Sequence, residues 1–305
     1  YNYDWIDNTN NSLGVNNDSI AGLCAGNFNL IITDYNGCVE ITQYAITNPI
    51  QVTASATNIA ASCFSFCDAE ATANGLTGNG PFSYLWDNNT GLQSSQTATG
   101  LCAGTYSVTV TDSDGCFNTT QTTISEPSEL TSTISTFSNV SCNSYCDGFA
   151  QVDVIGGTPG YSYLWNNSST NQTANGLCAG SYSVTVTDLN NCSSTSTITI
   201  TEPNAIAVSS TTLDLACFNL CEGEASVQVS GGVGPYNYQW NDPNFTISNS
   251  VIDLCAGNFE CIITDANNCS FIENITITQP SQLSISVTST DANCGQSNGQ
   301  ICIAP

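Results

Sequence analysis

The stretch LCAGSYSVTVTDLNNC, residues 177–192, decides the fold of this 305-residue chain. Between Tyr182 and Val186 apolar residues alternate with serine and threonine, which is the pattern of a strand with one buried face. Asp188 and the asparagines after Leu189 are typical of a turn, and alternation resumes over residues 193–201. The stretch therefore predicts a strand, a tight turn and a returning antiparallel strand.

This signal is repeated along the whole chain. Closely similar stretches occupy residues 23–38, 101–116 and 254–269, and the period is about 77 residues. A proline after Asn, Glu or Gln closes each period, at Pro49, Pro127, Pro203 and Pro280. The period predicts the C-terminal part of a module at 1–50, complete modules at 51–127, 128–203 and 204–280, and the N-terminal part of a module at 281–305.

The rest of the module also has the pattern of short strands. In module 128–203 we predict strands at 130–137, 148–155, 161–165, 181–188 and 193–201, with a Gly-Gly turn at 156–160 and no helix. Short strands with Gly and Pro punctuation indicate a β-sandwich. The predicted fold class is all-β, a tandem array of immunoglobulin-like β-sandwich modules of about 77 residues, stapled by disulfides.

The two end segments together make nearly one module. Read across the join, Pro305 followed by Tyr1-Asn2-Tyr3 repeats the pattern that begins at Pro235. Two interpretations fit: a section of a long regular array, which we favour, or a subunit that completes its end modules with its neighbours.

The composition excludes whole classes of function. The chain has Lys+Arg 0, His 0 and Asp+Glu 25, for a formal net charge of -25. Nucleic-acid binding needs basic residues against phosphate, and these are absent. Without His or Lys, most general-base chemistry and every Ser-His-Asp site are excluded, so we expect no enzyme. Trypsin-type proteases have no cleavage site, and no apolar run is long enough for membrane insertion of this segment.

The cysteines indicate an oxidising, extracellular setting, since 17 Cys recur at regular places. The third and fourth of each module stand at opposite ends of one strand, roughly 23 Å apart, so they can neither pair nor share a zinc ion. We predict first-to-fourth and second-to-third disulfides; the alternative is first-to-third, and a bond within Cys-x-x-x-Cys is less favoured. The predicted bonds are Cys63–Cys116, Cys67–Cys102, Cys142–Cys192, Cys146–Cys178, Cys217–Cys269 and Cys221–Cys255.

Five cysteines lie outside this scheme. If the chain is a subunit, Cys294–Cys38 and Cys302–Cys24 would link neighbouring copies, although Cys302 is displaced and Asn298 holds the expected second place. Cys261 stands where Val108 and Val184 stand in other modules, so we expect a buried free thiol.

The full pattern joins Cys-x-x-x-Cys, a Gly-Gly turn, an aromatic-x-Tyr-x-Trp strand, Leu-Cys-Ala-Gly, the strand to Thr-Asp-x-x-Gly/Asn-Cys, and Glu-Pro. This pattern resembles the SprB-type repeat of cell-surface adhesins in gliding Bacteroidetes, and other Ig-like and PKD-like repeats that those bacteria secrete. The resemblance covers essentially the whole chain. It implies an Ig-like sandwich, export to the cell surface, and a role in adhesion, motility or a surface fibre, without catalytic residues.

Two recurrent side chains are candidate sites. Trp5, Trp86, Trp165 and Trp240 close the aromatic strand, and we expect core packing, with a glycan-stacking platform as the alternative. Asp34, Asp112, Asp188 and Asp265 follow the long strand, and we expect each to bond its own turn, with Ca²⁺ coordination as the alternative and no other cofactor.

These observations favour a structural, protease-resistant extracellular fibre. The alternative is an adhesin whose repeats bind polysaccharide or other surfaces, possibly in gliding motility. The expected partners are copies of the chain or further modules of the same chain, and a surface glycan in the alternative.

Overall fold

The computed structural model describes residues 1–304, which form β-strands and one 3-10 turn at Asn88–Thr90. The first strands are β1 (Asn2–Ile6), β2 (Gly26–Thr33), β3 (Val39–Ile46), β4 (Thr53–Ile59), β5 (Ala69–Thr77), β6 (Ser83–Trp86), β7 (Thr97–Leu101), β8 (Gly104–Thr111) and β9 (Phe117–Ile124). The next are β10 (Thr131–Ser138), β11 (Gly148–Ile155), β12 (Ser162–Trp165), β13 (Thr173–Leu177), β14 (Gly180–Thr187) and β15 (Ser193–Ile200). The last are β16 (Ala207–Leu213), β17 (Gly223–Ser230), β18 (Asn237–Trp240), β19 (Ser250–Leu254), β20 (Gly257–Thr264), β21 (Ser270–Ile277), β22 (Ser286–Thr290) and β23 (Gln300–Ala304).

The chain divides into two compact units. The first comprises Tyr1–Leu130 with the two loops Gly156–Pro159 and Leu189–Cys192, and it holds β1 to β9. The second comprises Thr131–Ile155, Gly160–Asp188 and Ser193–Pro305, and it holds β10 to β23. Among the described residues, no helix has the length and apolar character needed to cross a membrane.

Each complete module contributes two three-stranded antiparallel sheets. In module 128–203 the sheets have the orders β10-β11-β13 and β12-β14-β15. The long hairpin keeps one register along its length, from Gly180 opposite Ile200 to Thr187 opposite Ser193. Strands β4 to β9 and β16 to β21 repeat the same orders. The predicted all-β array of Ig-like sandwiches is therefore confirmed.

One strand of each module departs from the sequence prediction. Strand β13 pairs with β11, although its Asn175-Gly176 pair is typical of a turn. Gly176 has a φ of 67°, and the β11–β13 register shifts between Gly148 and Phe149. The positive-φ residue is therefore accommodated at an irregularity inside the sheet rather than in a hairpin turn.

The core lies between the two sheets and is centred on tryptophan. Trp165 is 1% exposed, and its indole Nε1 donates to the Asn171 carbonyl at 2.9 Å. Val184 and Val186 of β14 face it from the same side of the strand, while the intervening threonine faces outward. The alternation in the sequence thus sets which face of β14 is buried.

The edges of the two sheets meet through hydroxyl groups rather than a backbone ladder. Ser132 of β10 bonds Ser194 at 3.0 Å and Ser196 at 2.8 Å, both on β15. Asn58 of β4 donates to Thr122 of β9 at 2.7 Å in the preceding module. In these two modules neutral serine, threonine and asparagine side chains join the sheet edges, whereas in module 204–280 the Ser210 hydroxyl of β16 donates to Glu273 of β21 at 2.8 Å.

Candidate functional site at the cysteine loops

The Cys-x-x-x-Cys loop between β10 and β11 is held by two carboxylates. The backbone N–H of Ser144, a residue with a φ of 62°, donates to Glu202 Oε2 at 2.6 Å. Asp147 accepts from the Ser141 backbone N–H at 2.9 Å and from the Ser141 hydroxyl. The recurrent Glu-Pro mark thus has a structural role that the sequence did not reveal: its side chain closes the cysteine loop.

The same arrangement recurs in the neighbouring modules. Glu126 accepts from Ser65 N at 2.6 Å, and Gln279 accepts from Asn219 N at 3.0 Å. Ser65 and Asn219 also have positive φ, at 57° and 60°. A glutamine can take the place of the glutamate because its side-chain oxygen also accepts a hydrogen bond.

The second cysteine of each loop bonds the third cysteine of its own module. Cys146 is bonded to Cys178 with a Cα–Cα distance of 3.9 Å. Equivalent bonds join Cys67 to Cys102 and Cys221 to Cys255. These are the second-to-third pairs that the sequence predicted, and a loop of this size gives about 4 kcal/mol in the chain-entropy description.

The first cysteine bonds the fourth cysteine of the following module, so the predicted first-to-fourth pairs are wrong. Cys63 is bonded to Cys192, and Cys142 to Cys269, with Cα–Cα distances of 5.8 and 5.7 Å. The predicted bonds Cys63–Cys116, Cys142–Cys192 and Cys217–Cys269 do not form. Cys116 and Cys217 are free thiols within the chain.

The reason is the distance between the two ends of a module. The first two cysteines are only four residues apart, so they reach at most about 14 Å. Val140 N donates to the Thr201 carbonyl, which places this loop at the end of the sandwich where β14 begins and Cys178 lies. Cys192 follows the other end of β14, roughly 25 Å away. The first cysteine therefore needs a partner outside its own module.

The partner turn is shaped by the recurrent aspartate. Asp265 Oδ1 accepts from the backbone N–H groups of Asn267 and Cys269, both at 2.9 Å, and Oδ2 accepts from Val233 N at 2.9 Å. The turn presents Asn267, whose Nδ2 donates to the Ser141 carbonyl at 2.8 Å beside the Cys142–Cys269 bond. A hydrogen bond and a disulfide thus act together at each junction.

The Ca²⁺ alternative finds no support in this geometry. Asp112 accepts from Asp114 N, Cys116 N and Asn79 N, and Asp34 accepts from Asn36 N and Cys38 N. Asp112, Asp188 and Asp265 are buried. Within residues 1–304, no group of three or more Cys, Asp or Glu side chains is arranged to hold a metal ion. The Oδ1 atoms of Asp34, Asp112 and Asp265 accept from their own turns. The Oδ2 atoms of Asp112 and Asp265 accept from Asn79 N and Val233 N, which lie on the loop before the tryptophan strand.

The loop carboxylates give a testable pH dependence. Hydrogen bonds from the Ser141 side chain and backbone hold the pKa of Asp147 below its ordinary value of 3.8. Its stabilising contribution is therefore complete above pH 3.8 and is lost as the pH falls through the lower native pKa. We expect Asp147→Asn to reduce the difference in melting temperature between pH 7 and pH 3. Asp291→Asn, at an exposed aspartate, is the control and should keep the full difference.

Cys261 lies in the core of module 204–280 as a free thiol, 0% exposed and opposite Trp240. Burial raises the pKa of its thiol to about 11, and the thiolate is the reactive form. We expect iodoacetamide at pH 8 to label the exposed cysteines while leaving Cys261 unmodified until the module unfolds. Cys261→Val, which copies Val184, should remove that late label and change stability by less than about 1.5 kcal/mol. Rapid labelling of Cys261 in the native chain would contradict this assignment.

In the complete modules the tryptophan side chains pack in the hydrophobic core. Trp86, Trp165 and Trp240 are 0%, 1% and 1% exposed, and each indole donates to a backbone carbonyl. Trp5 is only partly buried, although its Nε1 also donates to a carbonyl, that of Asn17 at 3.0 Å. The difference arises because β1-β2-β3 is a single sheet, whereas each complete module has two.

The end cysteines are free within the chain. Cys24, Cys38, Cys294 and Cys302 are exposed. The predicted Cys294–Cys38 and Cys302–Cys24 bonds would join separate copies of the chain, and they stay predictions.

Comparison with known proteins identifies part of this pattern. The SprB repeat family matches residues 134–170 and 209–245, each running from the first strand of a module past its tryptophan. The resemblance to the SprB repeat noted from the sequence is therefore confirmed at these two segments. No curated protein sequence matches the chain.

Several solved structures are similar to the chain at low identity. The eight N-terminal Ig domains of Down Syndrome Cell Adhesion Molecule are 11% identical over 91% of the chain, with a TM-score of 0.32, and the chain spans 50% of that structure. A structure from a 1.5-MDa bacterial ice-binding adhesin is 14% identical over 78% of the chain and 100% of that structure, with a TM-score of 0.38. A C-terminal fragment of intimin is 14% identical over 60% of each chain, with a TM-score of 0.26.

Proposed function

We propose that this chain is the structural repeat region of an extracellular surface fibre, in which disulfides bond each module to the next. The observation that carries the proposal is the pair of long-range bonds Cys63–Cys192 and Cys142–Cys269. Each joins the loop of one module to the turn of the following one. A bond in this place limits bending between modules, which serves a fibre better than a flexible chain of binding domains.

The chemistry of the surface supports the same role. The chain has no Lys, Arg or His, so side-chain ion pairs do not contribute to its stability. Its modules rely on disulfides and on networks of neutral hydroxyls such as Ser132 with Ser194 and Ser196. A stabilising scheme built in this way has no side-chain ion pairs for salt to weaken, and it offers trypsin-type proteases no cleavage site. We assign the chain a non-catalytic role at the cell surface.

A second candidate function is adhesion to polysaccharide. The loop after β18 exposes Phe245 and Ile247, which are 67% and 80% exposed. An exposed aromatic ring beside an apolar side chain can stack on a sugar face. The loops after β6 and β12 present different residues, so this feature belongs to one module only.

Electron microscopy of native surface material tests the fibre proposal. With an antibody against this chain, we expect labelled filaments without reductant and broken or collapsed filaments after reduction. Chymotryptic mapping without reductant should give peptides that link Cys63 to Cys192 and Cys142 to Cys269. Label on isolated globules or flexible strings, unchanged by reductant, would overturn the fibre. In that case, if the chain binds to a glycan array and the Phe245→Ala variant does not, the adhesin function is favoured.

A further inference from the structure

A cleft lies where module 128–203 meets module 204–280, inside the second compact unit of the chain. Its volume is about 270 Å³, and both cysteines of the Cys142–Cys269 bond line it. Each module contributes one aromatic ring, Tyr145 from the cysteine loop and Phe271 from β21. These residues are 59% and 37% exposed, so the cleft is open to solvent. We call this site the junction cleft.

The walls of the junction cleft are held in place by the protein itself. Tyr145 N donates to the Cys142 carbonyl at 3.1 Å, and both cysteines of this loop are disulfide-bonded. Gly232 N donates to the Asn204 carbonyl at 2.8 Å, which fixes the linker between the modules. Phe271 belongs to β21, which pairs with β20 along its whole length. A site that is ordered in advance loses less conformational entropy when a ligand binds.

The charges around the junction cleft argue against ionic ligands. The chain has no Lys, Arg or His and a formal net charge of -25, so it repels phosphates, sulfates and uronic acids. Among the described residues that line the cleft, Asp265 is the one acidic residue, and it is 1% exposed. Its oxygens already accept from three backbone N–H groups, so it offers no exposed anion to a cationic ligand. The ligand that fits best is therefore uncharged.

The rest of the lining combines aromatic faces with neutral polar groups. The face of an aromatic ring carries partial negative charge, so Tyr145 and Phe271 can attract the polarised C–H groups of a sugar ring. Asn204 and Ser270 are exposed in the same lining, and their side chains can both donate to and accept from sugar hydroxyls. The volume lies just below the range for sites that hold drug-sized ligands, which suits one sugar unit of a longer chain.

We propose that the junction cleft binds an uncharged sugar unit of a polysaccharide. Tyr145 and Phe271 stack on the sugar ring. The hydroxyl groups of the sugar bond Asn204 and Ser270. This inference goes beyond the fibre function and does not depend on it, since a fibre with such a site would attach to a neutral polysaccharide at a fixed point along its length. The site is distinct from the exposed loop at Phe245, because residues of two modules form it.

The preceding module repeats only part of this lining. Phe66 stands where Tyr145 stands, but Ser194 stands where Phe271 stands. The Ser194 hydroxyl is bonded to Ser132 at 3.0 Å, within its own sandwich. The second aromatic ring is therefore absent from the matching position, and Phe66 provides a control for the loss of an exposed aromatic side chain.

Titration calorimetry with the oxidised chain tests the site, with cellohexaose, mannohexaose and chitohexaose as uncharged probes. We expect saturable binding of at least one of them, and saturation-transfer NMR should show contact between aromatic protons and the sugar ring. Tyr145→Ala and Phe271→Ser should each weaken binding about tenfold or more, as truncation at the centre of an interface does. Phe66→Ala and Phe245→Ala are the matched controls and should keep the affinity of the parent chain.

The double variant Cys142→Ser with Cys269→Ser tests whether two modules share the site. It releases the bond that holds the cysteine loop against the turn of the next module. We expect binding to fall about tenfold or more, while the amides of β14 and β20 keep their protection from hydrogen exchange and so show that both modules stay folded. Unchanged affinity in this variant would overturn a site that is shared between modules.

Three further results would overturn the inference. One is the absence of saturable binding for all three hexasaccharides. Another is binding that Phe245→Ala removes and Tyr145→Ala keeps, which would place the sugar on the loop after β18. The last is binding of tetramethylammonium in the cleft without binding of any sugar, which would assign the aromatic rings to an organic cation. Each result leaves the fibre function intact, because filaments and disulfide-linked peptides test that function separately.

Discussion

With its disulfides oxidised, the segment from Cys63 to Cys269 is expected to lengthen very little under a pulling force. The covalent path crosses from Cys63 to Cys192, follows the backbone to Cys178, crosses to Cys146, and crosses again from Cys142 to Cys269. It contains about 18 backbone residues, or roughly 65 Å when fully extended. After reduction the same two ends are separated by about 200 residues and can reach roughly 700 Å. Single-molecule stretching before and after reductant measures this tenfold difference.

A double variant separates the contribution of one junction. In Cys142→Ser with Cys269→Ser, the force has to pass along the backbone from Cys192 toward Cys269, shortened only by Cys221–Cys255. We expect an intermediate gain of roughly 100 Å over the oxidised parent chain. Equal lengths before and after reduction would show that the long-range bonds are absent from the native protein.

Truncation of a buried tryptophan is expected to destabilise its module by about 3–5 kcal/mol. Trp240 is 1% exposed, and its indole donates to the Ser248 carbonyl at 2.8 Å, so Trp240→Ala removes core volume and leaves that carbonyl unpaired. Because modules in an array unfold separately, native-state hydrogen exchange is the appropriate measurement. Amides of β18 to β21 should exchange at least a hundredfold faster, while those of β4 to β9 keep their protection.

Trp5→Ala is the matched control, since Trp5 has the same position in the repeat but is only partly buried. We expect a smaller loss of protection in β1 to β3 than Trp240→Ala causes in its own module. Equal effects at the two positions would show that Trp5 is fully packed in the separate chain.

The sequence predicted the sheets well where a strand has one buried face. The alternation from Tyr182 to Val186 gave β14 and its returning partner, because a period of two places every second side chain in the core. It missed β13, since Asn175-Gly176 is a turn signal and only pairing with β11 makes that segment a strand. In this segment, pairing with the neighbouring strand β11 outweighs the local turn signal of the sequence.

The first-to-fourth prediction is wrong because it pairs cysteines only within one module, whereas the first cysteine bonds the following module. The sequence itself argues against these bonds, because Cys142 and Cys146 are too close together in the chain for one to lie at each end of a strand of roughly 25 Å. The role of Glu202 was out of reach, because its contact with Ser144 joins positions 58 residues apart in the chain. Side chains that hold distant loops leave no periodic signal.

The loops closed by the two long-range disulfides overlap, so the chain stays connected after a break in its backbone. The loop closed by Cys63–Cys192 and the loop closed by Cys142–Cys269 share the residues from Cys142 to Cys192. A single break in the backbone anywhere between Cys63 and Cys269 therefore leaves the two fragments covalently joined. A protein with this disulfide topology therefore remains one covalently linked molecule after a single hydrolytic or proteolytic cut in this segment.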